Sequence, residues 1–287
     1  MRHAAALDIG GTKLAAAVVD EEGGIVRRSR RPTPATLDPE VLWAEVVELL
    51  DEVRSGDEVV VGVGCGGPIA GPLVSPLHIP AWRGFPLAAR LAERFDVPAF
   101  VANDAHAIAL AEGWHGAAAG EQHFLGMVVA TGVGGGVVLD GRLLAGNAGH
   151  VGHVVVRPDG RPCRCGGRGC LEAEVSGTAI AEATGRPAAA ATPAEVEAAG
   201  TLVGRAVASV ANLLDLRLAV VAGSVALGWG EPFFAAAQAE LDARARLTFS
   251  AGARVVPAAL GHDAPLVGAA AIGWEGQGGR TLRPHRA

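Results

Sequence analysis

LDIGGTKLAAAVVD, residues 7–20, is an apolar run that ends on an acid, turns through two glycines and resumes as a second apolar run. A glycine turn between two apolar runs predicts a β-hairpin rather than the strand-to-helix passage of a G-x-x-x-x-G-K-[ST] loop. Residues 125–146, LGMVVATGVGGGVVLDGRLLAG, repeat the scheme. The echo implies two related halves. Backbone N–H groups in glycine turns can approach a phosphate closely, so the pair suits a phosphate chain gripped by one turn from each of two domains. The plainer alternative is that the glycines are only bends.

Outward from the hairpins, apolar runs alternate with amphipathic patterns, which predicts an α/β architecture. DPEVLWAEVVELLDEV (38–53) carries Leu42, Val46, Leu49, Leu50 and Val53 at helical spacing, with Asp38 as N-cap and Pro39 at the first position. VVVGVG (59–64) reads as a buried strand, PLAARLAERF (86–95) as a short helix and AFVAN (99–103) as a strand. DAHAIALAEGW (104–114) reads as a helix. Thr192, Pro193 and Glu195 form a capping box that opens a helix through Asn212; LAVVAGSVAL (218–227) is a strand-to-turn segment and WGEPFFAAAQAELDARAR (229–246) is helical. No period of 20–50 residues repeats, which excludes solenoids and propellers. The Gly- and Arg-rich tail from Gly276 to Ala287 reads as frayed.

Composition narrows the function classes. With 50% hydrophobic and 19% charged residues among 287, the chain is not of disordered type. Its formal charge of -6 supplies no electrostatic footprint for nucleic acid or an anionic membrane. Aromatics are 4% with no Tyr, against 41 Gly, so many contacts must be close backbone packing between small side chains. There is no apolar run of membrane-spanning length, and MRHAAALDIGG breaks before a secretory core could form, so the expected location is cytoplasmic.

Two groups of residues carry chemistry of their own. Cys163, Cys165 and Cys170 follow His153 in the pattern H-x9-C-x-C-x4-C, inside the glycine-rich RPCRCGGRGCLE. Three thiolates and an imidazole make a closed tetrahedral zinc site, structural because no position is left for water. Lone Cys65 reads as a small packing residue rather than a nucleophile. In VPAFVANDAHAIALAEG (97–113), a strand delivers Asn103 and Asp104 to the mouth of a helix. Asp104 is then either an N-cap or a general base accepting the proton of an alcohol that attacks a phosphoryl group.

Taken together, LDIGGTKLAAAVVD, VGVGCGGPIAG (61–71), the segment 79–113, ATGVGGGVVLDGRLL (130–144), AGHVGHVVV (148–156), CRCGGRGCLEAEVSG (163–177) and LGHDAPLVGAAAI (260–272) resemble, in order, the motifs of the ROK family of repressors, open reading frames and sugar kinases. The resemblance implies two ribonuclease H-like domains of the actin-like ATPase superfamily. The smaller N-terminal α/β domain would span residues 1–102. The larger, 103–287, would carry a zinc knuckle at 153–170, and the C-terminal helix would pack back on the smaller. It implies an ATP-dependent sugar kinase, with Asp104 as the base that deprotonates a sugar hydroxyl, usually the 6-hydroxyl. Sugar would be bound by Gly66, Gly67, Asn103, Asp104, His150, His153 and Glu172. ATP phosphates would be bound by Asp8, Gly10, Gly11, Thr12, Lys13, Thr131, Gly132 and Gly134, and Gly223 would serve the adenosine side. Asp8 would reach magnesium through water, and His153 would give one ring nitrogen to zinc and the other to a sugar hydroxyl. A homodimer is implied as well.

The chain departs from the family pattern at three places. Gly149–His153 reads GHVGH where kinases of the family commonly have G-E-x-G-H. His150 thus replaces an acceptor-only carboxylate with a group that can donate and that titrates ordinarily near pH 6.5, or else His150 merely packs. The stretch from Gly141 to His150 is a few residues shorter than in typical relatives, which redraws one wall of the pocket. The adenosine-side turn reads Ala222, Gly223, Ser224 instead of carrying paired glycines. Glucose is the first expected substrate, with N-acetylglucosamine, N-acetylmannosamine, kanosamine and fructose as alternatives. A non-catalytic sugar binder is the competing class. A sugar-sensing repressor is disfavoured because only seven residues precede Asp8 and no basic recognition helix is present.

Overall fold

The computed structural model describes residues 2–146, 148–279 and 281–282. Residues 283–287 of the Gly- and Arg-rich tail, and Asn147 in the shortened stretch, lie outside the described residues. Both expected hairpins form. Strand β1 (His3–Ile9) pairs antiparallel with β2 (Lys13–Asp20), and β3 (Ile25–Pro32) extends the sheet along β2. There follow α1 (Pro39–Val53), β4 (Glu58–Cys65), the two-residue strands β5 (Ile69–Ala70) and β6 (Leu73–Val74), α2 (Leu87–Phe95), β7 (Ala99–Asn103) and α3 (Asp104–His115). The first sheet has the order β3-β2-β1-β4-β7, with β1, β4 and β7 parallel.

The second half repeats this plan. Strand β8 (Phe124–Val129) pairs antiparallel with β9 (Val133–Leu139), and β10 (Arg142–Leu143) extends β9. Helices α4 (Leu171–Val175), α5 (Gly177–Thr184) and α6 (Pro193–Leu214) precede β11 (Leu218–Ala222). Then come α7 (Ser224–Trp229), α8 (Glu231–Arg244), β12 (Arg254–Pro257) and α9 (Ala264–Gly276). The order β10-β9-β8-β11-β12 reproduces the first sheet strand for strand, with β8, β11 and β12 parallel.

Local chemistry sets the helix ends. The Asp38 carboxylate accepts the Glu40 N–H at 2.8 Å ahead of Pro39, and the five apolar residues of the α1 stripe are all buried. Full burial of a Leu or Val contributes about 1.5–3 kcal/mol, so this one face anchors the helix. Thr192 and Glu195 close their capping box at the start of α6. The helix expected over 229–246 forms as α8, while Trp229 closes the short α7 that occupies the end of the 218–227 segment. Gly230 turns through φ 64°, and Pro232, without an N–H, opens α8.

The chain divides into two compact units. The first takes the described residues up to His115 together with those from His262 onward; the second is Gly116–Gly261. The expected boundary after residue 102 therefore falls inside the first unit. The physical reason is α3: its residues Ala105–Gly113 are buried, and its partner is α9, some 150 residues later. Gly268 of α9 lies so close to the Ala107 carbonyl of α3, and Gly62 of β4 to the Ala269 carbonyl, that an added Cβ would overlap either oxygen. In the second unit, Gly200 and Gly204 of α6 meet the Phe233 and Ala237 carbonyls of α8 in the same manner. This is the use to which the chain puts its glycines and alanines. Among the described residues, no helix is long and apolar enough to cross a membrane.

Candidate functional site

In the first unit the carboxyl ends of three parallel strands are in register. Ile9 of β1 stands beside Cys65 of β4, and Cys65 beside Asn103 of β7. Ligand sites in open α/β sheets form at such strand ends. Here the register brings together the turn Gly10–Lys13, the pair Gly66–Gly67 and the pair Asn103–Asp104.

Each part has a local cause. The Gly10 N–H donates to the Lys13 carbonyl at 3.0 Å and closes the turn; Thr33, just past β3, donates its hydroxyl to the Gly10 carbonyl (2.6 Å) and its N–H to the Thr12 carbonyl (3.2 Å). Thr12 and Lys13 are exposed. Asn103 and Asp104 share the cap of α3, since the Ala105 N–H points at both side chains, 2.9 Å from Asn103 Oδ1 and 2.9 Å from Asp104 Oδ1. Asp104 Oδ2 takes no part in that bond and lies toward Gly66, where an added Cβ would stand 4.0 Å from it. A Cβ on Gly67 would come 3.3 Å from Asn103 Nδ2.

The charges of this cluster act on one another. Burial raises the Asp8 carboxyl to about 6, the Lys13 ammonium opposes the rise and the Asp104 carboxylate adds to it. Asp104 is open to solvent on one side, yet loss of water around it pushes its carboxyl above the ordinary value; N–H groups of Ala105 and Asp104, then His106 and His78, pull it back. Cys65 is fully buried in β4, and burial with the Asp104 and Asp8 charges pushes its thiol far up, so it stays an unreactive packing group. His78 is a member of this cluster that sequence reasoning missed. It is exposed, its field reaches Asp104, and its Cβ would stand 2.5 Å from a Cβ placed on Gly11. A lone histidine in the loop between β6 and α2 gives no motif signal.

In the second unit, Thr131 and Gly132 lie in the turn between β8 and β9, and Val133 and Gly134 open β9. Gly223, with φ 103°, ends β11 beside it; an added Cβ would overlap the Val129 backbone, so a glycine is required there. Gly135 lets the segment Gly149–His153 approach, since its Cβ would meet Val151 at 2.8 Å and the Gly149 carbonyl at 3.0 Å. That segment carries His150, which is exposed rather than buried, its ring centroid 6.2 Å from that of His153.

The ligating atoms of His153, Cys163, Cys165 and Cys170 all lie within 4.8 Å of one another. Cys163 Sγ is 3.7 Å from His153 Nδ1, and Cys165 Sγ is 3.7 Å from Cys170 Sγ. A tetrahedron with metal–sulfur bonds of about 2.3 Å has edges of about 3.8 Å, so both separations fit one metal ion. The N–H of Gly167 holds the Cys165 thiol below its usual value, whereas burial pushes Cys170 up to about 12, a penalty that a bound cation would relieve. Since Nδ1 faces the thiols, Nε2 of His153 is left for another partner. Glu172, two residues after Cys170, sits on α4 with Oε2 accepting the Val133 N–H at 2.9 Å.

The sequence pattern of the ROK family matches residues 4–275. The chain belongs to the ROK family. A glucokinase from Thermotoga maritima is 40% identical over 181 residues, 61% of this chain and 57% of that one, so the match spans little more than half of its length. An N-acetylmannosamine kinase from Citrobacter koseri is 38% identical over 242 residues, 77% of this chain and 83% of that one. Among solved structures, a ROK family glucokinase from Streptomyces griseus, in complex with glucose and AMPPNP, superposes with a TM-score of 0.77 at 29% identity, covering 95% of this chain and 99% of that one. The mixed α/β sheets described above are thus the ROK sugar kinase fold.

Proposed function

We propose that this ROK protein transfers the terminal phosphoryl group of ATP to a hexose hydroxyl, the 6-hydroxyl of glucose being the first candidate. The observation that carries the reading is the convergence of Asp8, Gly66–Gly67 and Asn103–Asp104 at the ends of β1, β4 and β7. Asp104 Oδ1 is engaged by the Ala105 N–H, which leaves Oδ2 to accept the hydroxyl proton as the oxygen attacks phosphorus. Asn103 orients neighbouring hydroxyls, and Gly66 and Gly67 let the ring approach the backbone. By the family resemblance, Gly10, Gly11, Thr12 and Lys13 of the first unit are phosphate-binding residues, as are Thr131, Gly132 and Gly134 of the second; Gly223 serves the adenosine side. His150, His153 Nε2 and Glu172 complete the sugar contacts.

The opposed carboxylates of Asp8 and Asp104 suit a cation on one of them, and in this reading Asp8 holds magnesium through water. Magnesium there supplies charge compensation to the transferring phosphoryl group. The Cys3His quartet suits zinc as a structural ion, held by all four ligands and taking no part in the chemistry. Each five-stranded unit is read as one ribonuclease H-like domain, and the protein as a cytoplasmic homodimer; sedimentation of the purified protein tests the second point.

A second sugar has specific support. The N-acetylmannosamine kinase match extends over 83% of that relative, against 57% for the Thermotoga glucokinase, and His150 stands where a carboxylate is common. Release of ADP from magnesium-ATP across glucose, fructose, kanosamine, N-acetylglucosamine and N-acetylmannosamine decides between them. One sugar standing well above the rest names the substrate. Silence of every sugar with folded, metal-loaded protein would sink the kinase reading in favour of a sugar binder.

A further inference from the structure

We infer that Glu172 has a second task, as the residue that holds the segment Thr131–Gly134, where the turn enters β9, in its nucleotide-binding shape. This rests on the kinase reading above, and concerns the second unit alone. The Glu172 carboxylate is half-buried, and its Oε2 accepts the Val133 N–H at 2.9 Å across 39 residues of sequence. A Cβ on Gly132 would stand 3.0 Å from the same oxygen, so the carboxylate lies against the turn itself and the glycine leaves it room.

The grip is continued by the residues after it. The Gly177 N–H donates to the Ala130 carbonyl at 2.8 Å, and Thr178 donates its hydroxyl (3.0 Å) and its N–H (3.3 Å) to the Thr131 carbonyl. On the other side, Gly152 packs on the Val133 carbonyl so closely that any side chain there would overlap it. Val133 is therefore bonded at its N–H by Glu172 and closely packed at its carbonyl by Gly152. Val133 stands between Gly132 and Gly134, which have little conformational preference of their own. With Oε2 on Val133, Glu172 keeps Oε1 for a sugar hydroxyl, and one side chain serves both substrates. Glu172 is a positioning residue for the nucleotide, distinct from its role toward the sugar.

The test measures binding of magnesium-AMPPNP by calorimetry to sugar-free protein, together with hydrogen exchange of the peptide covering residues 129–135 in ligand-free protein. Glu172→Ala removes a charge-assisted hydrogen bond, so nucleotide affinity should fall about tenfold and exchange should quicken. Glu172→Gln keeps an acceptor for the Val133 N–H and should bind nucleotide within about threefold of the parent while losing sugar affinity. Loss of sugar affinity in Glu172→Ala with nucleotide affinity and exchange unchanged would overturn the inference. Faster exchange in a protein whose parent form binds no nucleotide would overturn it together with the kinase reading. A tenfold weaker nucleotide complex in a protein that phosphorylates no sugar supports the inference and overturns only that reading.

Discussion

The Asp104 carboxylate raises the demand of Asp8 for a proton, and both carboxyls are partly stripped of water. As pH falls, each is protonated earlier than an ordinary aspartate, and a protonated Asp104 can no longer accept the sugar proton. The acid limb of kcat/KM should therefore lie above the ordinary carboxyl range, with activity lost as pH falls through it. A profile flat down to about pH 4, the ordinary carboxyl range, would contradict this. Gly11 yields a second expectation. Its methyl-bearing variant Gly11→Ala must displace His78 or the turn, and misplacing bound phosphate by about 1 Å is expected to lower kcat/KM for ATP about 10²-fold. Steady-state kinetics in ATP at saturating sugar measures it. At this scale the sequence declared what spacing can declare. The Cys3His quartet was legible because ligand number and glycine content specify a metal site, and Asn103–Asp104 because a strand end meets a helix start. His78 and the Glu172–Val133 bond were not, since each depends on partners brought close only by folding.

At the scale of elements, strands built from apolar runs around glycine turns were legible, as were the capped helices α1 and α6. Strand β3 was hidden by its sequence, IVRRSRRP, whose arginines face solvent or pair with acids of α1, as Arg31 does with Glu45 at 2.9 Å. Strand β12 is four residues long and carries too little pattern to be seen. The α3–α9 contact, on which the unit boundary depends, is a matter of backbone proximity at glycine. Gly268→Ala should therefore destabilise the protein by about 1–3 kcal/mol through overpacking, read as a fall of several degrees in Tm. An unchanged Tm would mean that the helices separate at no cost. The knuckle 153–170 ends one residue before α4, and α4 carries Glu172. Chelation that strips the quartet should lower both thermal stability and sugar affinity, because His153 and Glu172 are anchored there. Full sugar affinity in metal-free protein would separate the knuckle from the sugar site.

For the whole molecule, the two hairpins at residues 7–20 and 125–146 announced a repeated plan, and the two sheets have the same strand order and sense. A helix pattern does not state which sheet will receive it, so the return of the chain from His262 onward to the first unit was legible only through the family resemblance, whereas the place of α3 in that unit was not foreseen. Each unit presents a glycine turn where its first strand ends, one flanked by Asp8 and the other held by Glu172. In the proposed reaction a phosphoryl group passes to a sugar with Asp104 as base. The most direct test follows sugar phosphate formation from magnesium-ATP by phosphorus NMR, with the parent protein and Asp104→Asn side by side and sugar binding measured on both. The parent protein should form the 6-phosphate of its preferred hexose, and Asp104→Asn should bind that sugar within a few-fold yet turn over about 10²–10⁴ times more slowly. An Asp104→Asn protein that forms product at the parent rate would rule out Asp104 as the base.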